Sequence, residues 1–197
     1  MSENKKIVFI DRDGVINKDP GGWTKHNYVT RWEDFKFLPG SKEALKKLND
    51  ARYEIIIISN QAGVGKGHYS KDELDTVNSK MLEEIKKAGA GIRKVYYCIH
   101  RPDDNCDCRK PKIGLFKQAE EEMGIKAGGS YFIGDAKTDI EAGEKAGLKT
   151  ILVLSGKTIL EDMRSSNIKP DYIFDDIFEA VEFILNEATT YGGHRPT

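Results

Sequence analysis

The sequence predicts an α/β domain: a three-layer sandwich in which a mainly parallel sheet lies between two layers of helices. Short apolar β-type runs such as IVFI (7–10) and the four isoleucines of EIIIIS (54–59) recur along the chain, and unbroken apolar runs suit strands covered on both faces. Segments with helical spacing separate these runs. Strict alternation of the two builds βαβ units with right-handed crossovers. In such sheets ligands bind beyond the carboxyl ends of the strands, so those ends are where function is sought.

Each element follows in order. IVFI ends in DRDG, a strand entering a loop. Residues 17–40 read as a long polar and aromatic loop with several glycines and two prolines. SKEALKKLNDA opens with Ser41 as N-cap and places Ala44, Leu45 and Leu48 on one face. EIIIIS is the second strand and NQAGVGKGHYS a loop. Ser70 caps a helix running to Ala88, with Leu74, Val77, Met81, Leu82 and Ile85 along one side. RKVYYCI (93–99) is the third strand, and a helix spans 114–123. SYFIG (130–134) is the fourth strand. TDIEAGEKAG (138–147) is a short helix closed by Gly147, and TILVL (150–154) is the fifth strand. YIFD leads into a last helix, IFEAVEFILNEA. Residues 1–188 are expected to form one domain, and 189–197 a flexible tail.

Composition narrows the function. A net charge of −1 provides no field to draw nucleic acid or an anionic membrane. Lysines alternate with acids on the helices, as on a solvated face. No run approaches the roughly 18 apolar residues that would span a bilayer. The segment MSENKKIVFIDRDG has no secretory apolar region, so a cytoplasmic protein is expected. In that compartment clustered cysteines point to metal more than to a disulfide.

The strand ends carry Asp11 and Asp13, then Ser59 and Asn60, then a cysteine cluster followed by Arg109 and Lys110, then Asp135 and Asp139. Each has a bland alternative. Asp11 and Asp13 read equally as solvated loop acids, Ser59-Asn60 as a turn, Lys110 as a surface lysine, and GDAKTDI as a capped helix start. Their common placement favours function. Two carboxylates two residues apart repel unless they share a proton or a cation, and with Asp135 they suit Mg²⁺. All three cysteines lie in CIHRPDDNCDCRKP (98–111). Cys98, His100, Cys106 and Cys108 form C-x-H-x5-C-x-C, a soft tetrahedral set for Zn²⁺ with no open position. A disulfide would strand one thiol, and an Asp-rich loop is a poor apolar core. A zinc-stapled loop would aim Arg109 and Lys110 at the strand ends.

FIDRDGVIN, IISNQ, RKP and GDAKTD, in that order, resemble the four motifs of the haloacid dehalogenase-like phosphohydrolases, over residues 7–188. The resemblance implies a Rossmann-like fold without the large cap domain of many relatives. It implies Asp11 as nucleophile, Asp13 as general acid and base, Ser59 as a hydrogen-bond donor to a phosphoryl oxygen, and Lys110 bridging phosphate and Asp11. It implies Mg²⁺ on the Asp11 carboxylate, the Asp13 carbonyl and Asp135, with Asp139 supporting from behind. C-x-H…C-x-C-R-K-P resembles the branch holding heptose 1,7-bisphosphate 7-phosphatases and histidinol-phosphate phosphatases. DRDGVIN, NQAGVGKGHYS and NYVTRWEDFKFLPG are similar to the heptose group, whereas HRPDDNCDCRKPK is close to the histidinol group.

That resemblance implies a small phosphorylated sugar as substrate, with Asp19, Asn60, Gln61, Arg109 and Lys110 as its contacts; a monomer is expected as the working form. The 17–30 loop is longer than the family pattern. Ala136 stands where relatives place Lys or Arg, and Lys137 follows it. Trp23, Tyr28 and Trp32 are read either as a cover for the site or as packing that holds the loop down. An inactive scaffold would have lost one of Asp11, Asp13, Lys110 or Asp135, and all four are present.

Overall fold

A computed structural model describes residues 6–158 and 169–191 of the chain. Six strands form one sheet: β1 (Lys6–Ile10), β2 (Tyr53–Asn60), β3 (Lys94–Cys98), β4 (Tyr131–Gly134), β5 (Lys149–Val153) and β6 (Tyr172–Phe174). Their order is β3-β2-β1-β4-β5-β6, and every pairing is parallel. The helices are α1 (Ser41–Asp50), α2 (Lys71–Lys87), α3 (Gly114–Met123), α4 (Lys137–Lys145) and α5 (Ile177–Tyr191). Among the described residues no element stands apart as a cap.

Strand pleat decides which helix each residue meets. In β1, Val8 and Ile10 face Leu45 and Leu48 of α1, Met81 of α2 and Ile184 of α5. Ile7 and Phe9 face the other way, onto Leu115, Phe116 and Ala119 of α3. Phe116 meets Phe9 and Phe132 edge-on, at 5.2 and 5.1 Å between centroids. Each such side chain, once fully buried, contributes about 1.5–3 kcal/mol.

The chain leaves β1 through α1 to β2 on one side, and β4 through α4 to β5 on the other. β1 and β4 are therefore the adjacent strands whose connections diverge, which opens a crevice at their carboxyl ends. The Asp11 N–H donates to Ile133 O at 2.9 Å, so it carries the β1–β4 pairing one residue into the loop. Asp11 and Asp135 are thereby placed side by side.

Several boundaries differ from the sequence reading. YIFD contains the sixth strand, an edge strand of 3 residues. Gly40, with φ 72, occupies the α1 N-cap, and Ser41 starts the helix with its hydroxyl donating to Leu38 O at 2.8 Å. Ser70 does cap α2, in a reciprocal box with Glu73. α5 extends to Tyr191, so three residues expected in the tail have helical backbone, while 192–197 lie outside the described residues. The 17–40 loop holds two 3₁₀ turns, Lys25–Asn27 and Trp32–Asp34. Among the described residues no helix is long and apolar enough to cross a membrane.

Candidate active site

Three buried carboxylates meet at the crevice. Oxygens of Asp11, Asp135 and Asp139 all lie within 4.8 Å of one another. The Lys110 ammonium is set among them, ion-paired with Asp139 Oδ1 at 2.7 Å and with Asp11 Oδ1 at 2.9 Å, and donating to Ile58 O at 2.8 Å. Asp139 Oδ2 accepts from the N–H groups of Asp135 and Ala136, at 3.2 and 3.0 Å, at the start of α4. Asp135 Oδ2 accepts from the Lys157 N–H at 2.8 Å. Gly14 and Gly156 press on Asp135 so closely that a Cβ at either would collide with it.

The charge of this cluster is out of balance. Burial pushes the Asp11 carboxyl up to about 6; Lys110 opposes this, and Asp139 and Asp13 add to it. Burial, with Asp139 and Asp11 beside it, holds Asp135 well above the usual carboxylate range. Burial would lower Lys110, but its two carboxylate partners win and raise it. One ammonium among three buried acids leaves an excess of negative charge in a set of hard oxygen donors. That set fits a Mg²⁺ ion. Asp139 has both oxygens engaged by protein donors, so Asp11 and Asp135 are the better placed to hold it.

Asp13 belongs to a second network. Buried Arg12 donates through Nη2 to both Asp13 oxygens (3.0 and 3.1 Å) and to Gln61 Oε1 (3.0 Å), and through Nη1 to Asn78 Oδ1 (3.1 Å). Gln61 Nε2 donates to Asp13 Oδ2 at 2.7 Å and to Ser59 Oγ at 2.9 Å, while Tyr69 Oη donates to Gln61 Oε1 at 2.8 Å. Asn17 Nδ2 adds a bond to Asp13 Oδ1 at 2.8 Å. Burial would raise the Asp13 carboxyl; the Arg12 charge and these donors outweigh it and hold the group low. Asp13 is therefore held as an anion, the form that takes a proton from water.

A cavity of about 330 Å³ opens over both networks. Asp11, Asp13, Asn60, Arg109, Lys110, Asp135, Ala136, Lys137 and Asp139 line it, together with Pro20, Asn27, Tyr28, Thr138 and Lys157. Arg109 Nη1 is buried there without a hydrogen-bond partner. Gln61, expected as a substrate contact, is buried and engaged by Arg12, Asp13, Ser59 and Tyr69. Asn60 reaches the cavity, but its amide is paired with the Lys110 backbone. Asp19 accepts from the Gly21 N–H at 2.8 Å and lies 3.4 Å from Lys157 Nζ.

The three loop aromatics separate. Tyr28 lines the cavity, Trp32 stacks on Phe35 at 5.0 Å against the core, and Trp23 is exposed, its indole donating to Asp19 O at 2.6 Å. The sequence reading overlooked Arg12 and Lys157. Arg12 carried a signal, as a cation between two acids. Lys157 follows β5 and is found by applying the strand-end rule once more.

The four zinc candidates also converge. Cys108 Sγ lies 3.1 Å from Cys98, 3.5 Å from Cys106 and 3.2 Å from His100 Nδ1, and Cys98 lies 3.6 Å from both Cys106 and His100. These spacings exceed the ~2.0 Å of a disulfide and approach the roughly 3.8 Å edge of a tetrahedron with metal–sulfur bonds of about 2.3 Å. Burial raises the Cys98 thiol. Cys106 is lowered in spite of burial, by its sulfur neighbours and the Arg109 N–H. The donor set fits Zn²⁺. Cys98 ends β3 and Cys108 adjoins Arg109, so a metal bound here would tie the end of β3 to the residue before Arg109.

A family model described as HAD-hydrolase-like matches residues 107–180. The D-glycero-beta-D-manno-heptose-1,7-bisphosphate 7-phosphatase of Haemophilus ducreyi is 35% identical over 188 residues, covering 91% of this chain and 98% of that one. The chain belongs to the haloacid dehalogenase-like (HAD) hydrolase family. It is a phosphatase of that family. The D-glycero-alpha-D-manno-heptose-1,7-bisphosphate 7-phosphatase of Photorhabdus laumondii is 39% identical, with coverage of 79% and 87%. The crystal structure of D,D-heptose 1,7-bisphosphate phosphatase from B. bronchiseptica, complexed with magnesium and phosphate, superposes with a TM-score of 0.84 at 27% identity, covering 92% of this chain and 99% of that one. The HAD fold without a large cap is thus common to this chain and to that solved enzyme.

Proposed function

We propose that this HAD phosphatase removes the 7-phosphate of D-glycero-D-manno-heptose 1,7-bisphosphate. The observation that carries the reading is the near full-length likeness to the Haemophilus ducreyi enzyme in a chain whose Asp11–Lys110–Asp135–Asp139 cluster is complete. Asp11 attacks phosphorus, the sugar oxygen departs, and an aspartyl-phosphate forms on Asp11. The general-acid role needs a protonated Asp13, so the incoming phosphate's negative charge must first raise the carboxyl that Arg12 and its donors hold low in the free protein; Asp13 then hands that proton to the departing oxygen and, as the anion again, takes one from the water that opens the aspartyl-phosphate. Lys110 tempers the charge of Asp11 as the anionic phosphate approaches, and Ser59 donates to a phosphoryl oxygen. Arg109 offers its unpartnered nitrogen to the second phosphate. Mg²⁺ held by Asp11, the Asp13 carbonyl and Asp135 would offset phosphate charge. Zn²⁺ held by Cys98, His100, Cys106 and Cys108 would staple the loop. In this reading one domain acts as a monomer on a small substrate in the cytoplasm.

HRPDDNCDCRKPK, with its short span between His100 and Cys106, favours a second reading, histidinol phosphate. Phosphate release with Mg²⁺ from both substrates side by side, with Asp11→Asn as blank, separates the two. The heptose bisphosphate is expected to lead by at least about tenfold in kcat/KM, roughly 1.4 kcal/mol of transition-state discrimination. The reverse ranking overturns the heptose assignment.

A further inference from the structure

The loop carrying Pro20 to Tyr28 has no part in the chemistry above, yet it supplies one side of the cavity. Asn27 and Tyr28 line the same cavity as Asp11, Arg109, Lys110 and Lys157. His26 and Asn27 both adopt left-handed backbone, with φ 61 and 60, a conformation that non-glycine residues keep only when their surroundings hold them. What holds them is a stack. The rings of His26 and His68 lie 4.4 Å apart and 11° from parallel, and Tyr28 stacks on His68 at 5.5 Å and 30°. Lys66 Nζ sits 5.7 Å from the Tyr28 ring centre.

The far side of the stack belongs to the turn after β2. There the His68 N–H donates to Gly63 O at 2.9 Å, and Gly63 lies so close to Tyr28 and Tyr69 that no side chain fits. The same turn leads to Tyr69, whose hydroxyl donates to Gln61 beside Asp13. The wall is thus seated on the element that holds the acid–base residue. Asn27 Oδ1 accepts from the Gly22 N–H at 3.0 Å, which leaves its amide N–H groups to donate. An aromatic ring beside an amide donor suits the C–H faces and hydroxyls of a sugar, and offers little to a compact phosphomonoester.

We propose that Tyr28 and Asn27, held in place by the His26–His68 stack, form a specificity wall that selects a polyhydroxylated sugar phosphate over a short phosphomonoester. This rests on the sugar-phosphatase reading above. His68 is a positioning residue in this scheme, since it acts through Tyr28.

The test compares kcat/KM on heptose 1,7-bisphosphate with kcat/KM on glycerol 2-phosphate, for the parent protein and for Tyr28→Ala, His68→Ala and His68→Phe. The parent is expected to prefer the heptose compound. Tyr28→Ala and His68→Ala are expected to lower that preference by about tenfold, chiefly through KM for the heptose, and His68→Phe, which keeps a stacking ring, restores most of it. A preference unchanged in both alanine variants, or a fall that is equal on the two substrates, overturns the wall. A parent protein with no heptose preference sinks the substrate reading instead, which the variants by themselves do not address.

Discussion

Asn60 and Lys110 grip each other through side chain and backbone: the Asn60 amide donates to Lys110 O and accepts from the Lys110 N–H, both at 3.1 Å. The end of β2 is thereby tied to the residue that enters the acid cluster. The pairing is what a β-ladder would offer, supplied here by an amide across a loop. Asn60→Ala removes both bonds and frees the Lys110 backbone. Since a displacement near 1 Å at a reacting group lowers rate by about 10²-fold, we expect kcat to fall by about 10- to 100-fold. Steady-state kinetics check this, and a kcat within about twofold of the parent would count against the clamp.

Gln61 is the hub of the second network. Gln61→Leu keeps the volume but leaves buried Tyr69 Oη and Ser59 Oγ short of a partner and takes one donor from Asp13. An unsatisfied buried polar group costs about 1–3 kcal/mol, so a loss of at least about 2 kcal/mol is expected in urea denaturation. A stability loss below about 0.5 kcal/mol would show that the network is not holding these groups.

The acid cluster links metal binding to pH. The Asp11 carboxyl rises from 3.8 to about 6 on folding, because of burial. Between those values the metal-free folded chain keeps a proton that the unfolded chain has released. Its contribution to stability is therefore complete below pH 3.8 and is lost as pH climbs through about 6. Asp135 acts in the same sense. Asp13, held low, contributes above its ordinary value and loses that contribution only in stronger acid. A cation on Asp11 and Asp135 must displace their protons. Mg²⁺ is thus expected to raise the melting temperature more at pH 8 than at pH 5. An equal or larger rise at pH 5 would place the ion elsewhere.

The cysteine cluster is expected to carry one zinc per chain, measurable by elemental analysis. Cys106→Ala should lose that metal, lower the melting temperature and reduce kcat, while Asp11 and Asp135 still bind Mg²⁺. Full activity in zinc-free protein would remove the cluster from any part in placing Arg109 and Lys110.

Apolar runs and helical spacing made most of the fold legible, because buried parallel strands leave no polar residue to interrupt them. β6 escaped for the same physical reason in reverse. It is 3 residues long and its central Ile173 is 42% exposed. The metal acids and Lys110 were legible as strand-end residues. The side-chain partners were not: nothing in NQ tells that Asn60 turns toward Lys110 while Gln61 turns inward to Arg12 and Asp13. Those choices are made by contacts 49 and 50 residues apart. The His26–His68 pairing is likewise long-range, joining two loops that local sequence cannot register against each other.

The most direct test of the central claim is ³¹P NMR of heptose 1,7-bisphosphate turned over by this chain with Mg²⁺. The account predicts loss of the 7-phosphate resonance, appearance of inorganic phosphate, and retention of the 1-phosphate, all absent with Asp11→Asn. Release of the 1-phosphate, or turnover that survives Asp11→Asn, would contradict it.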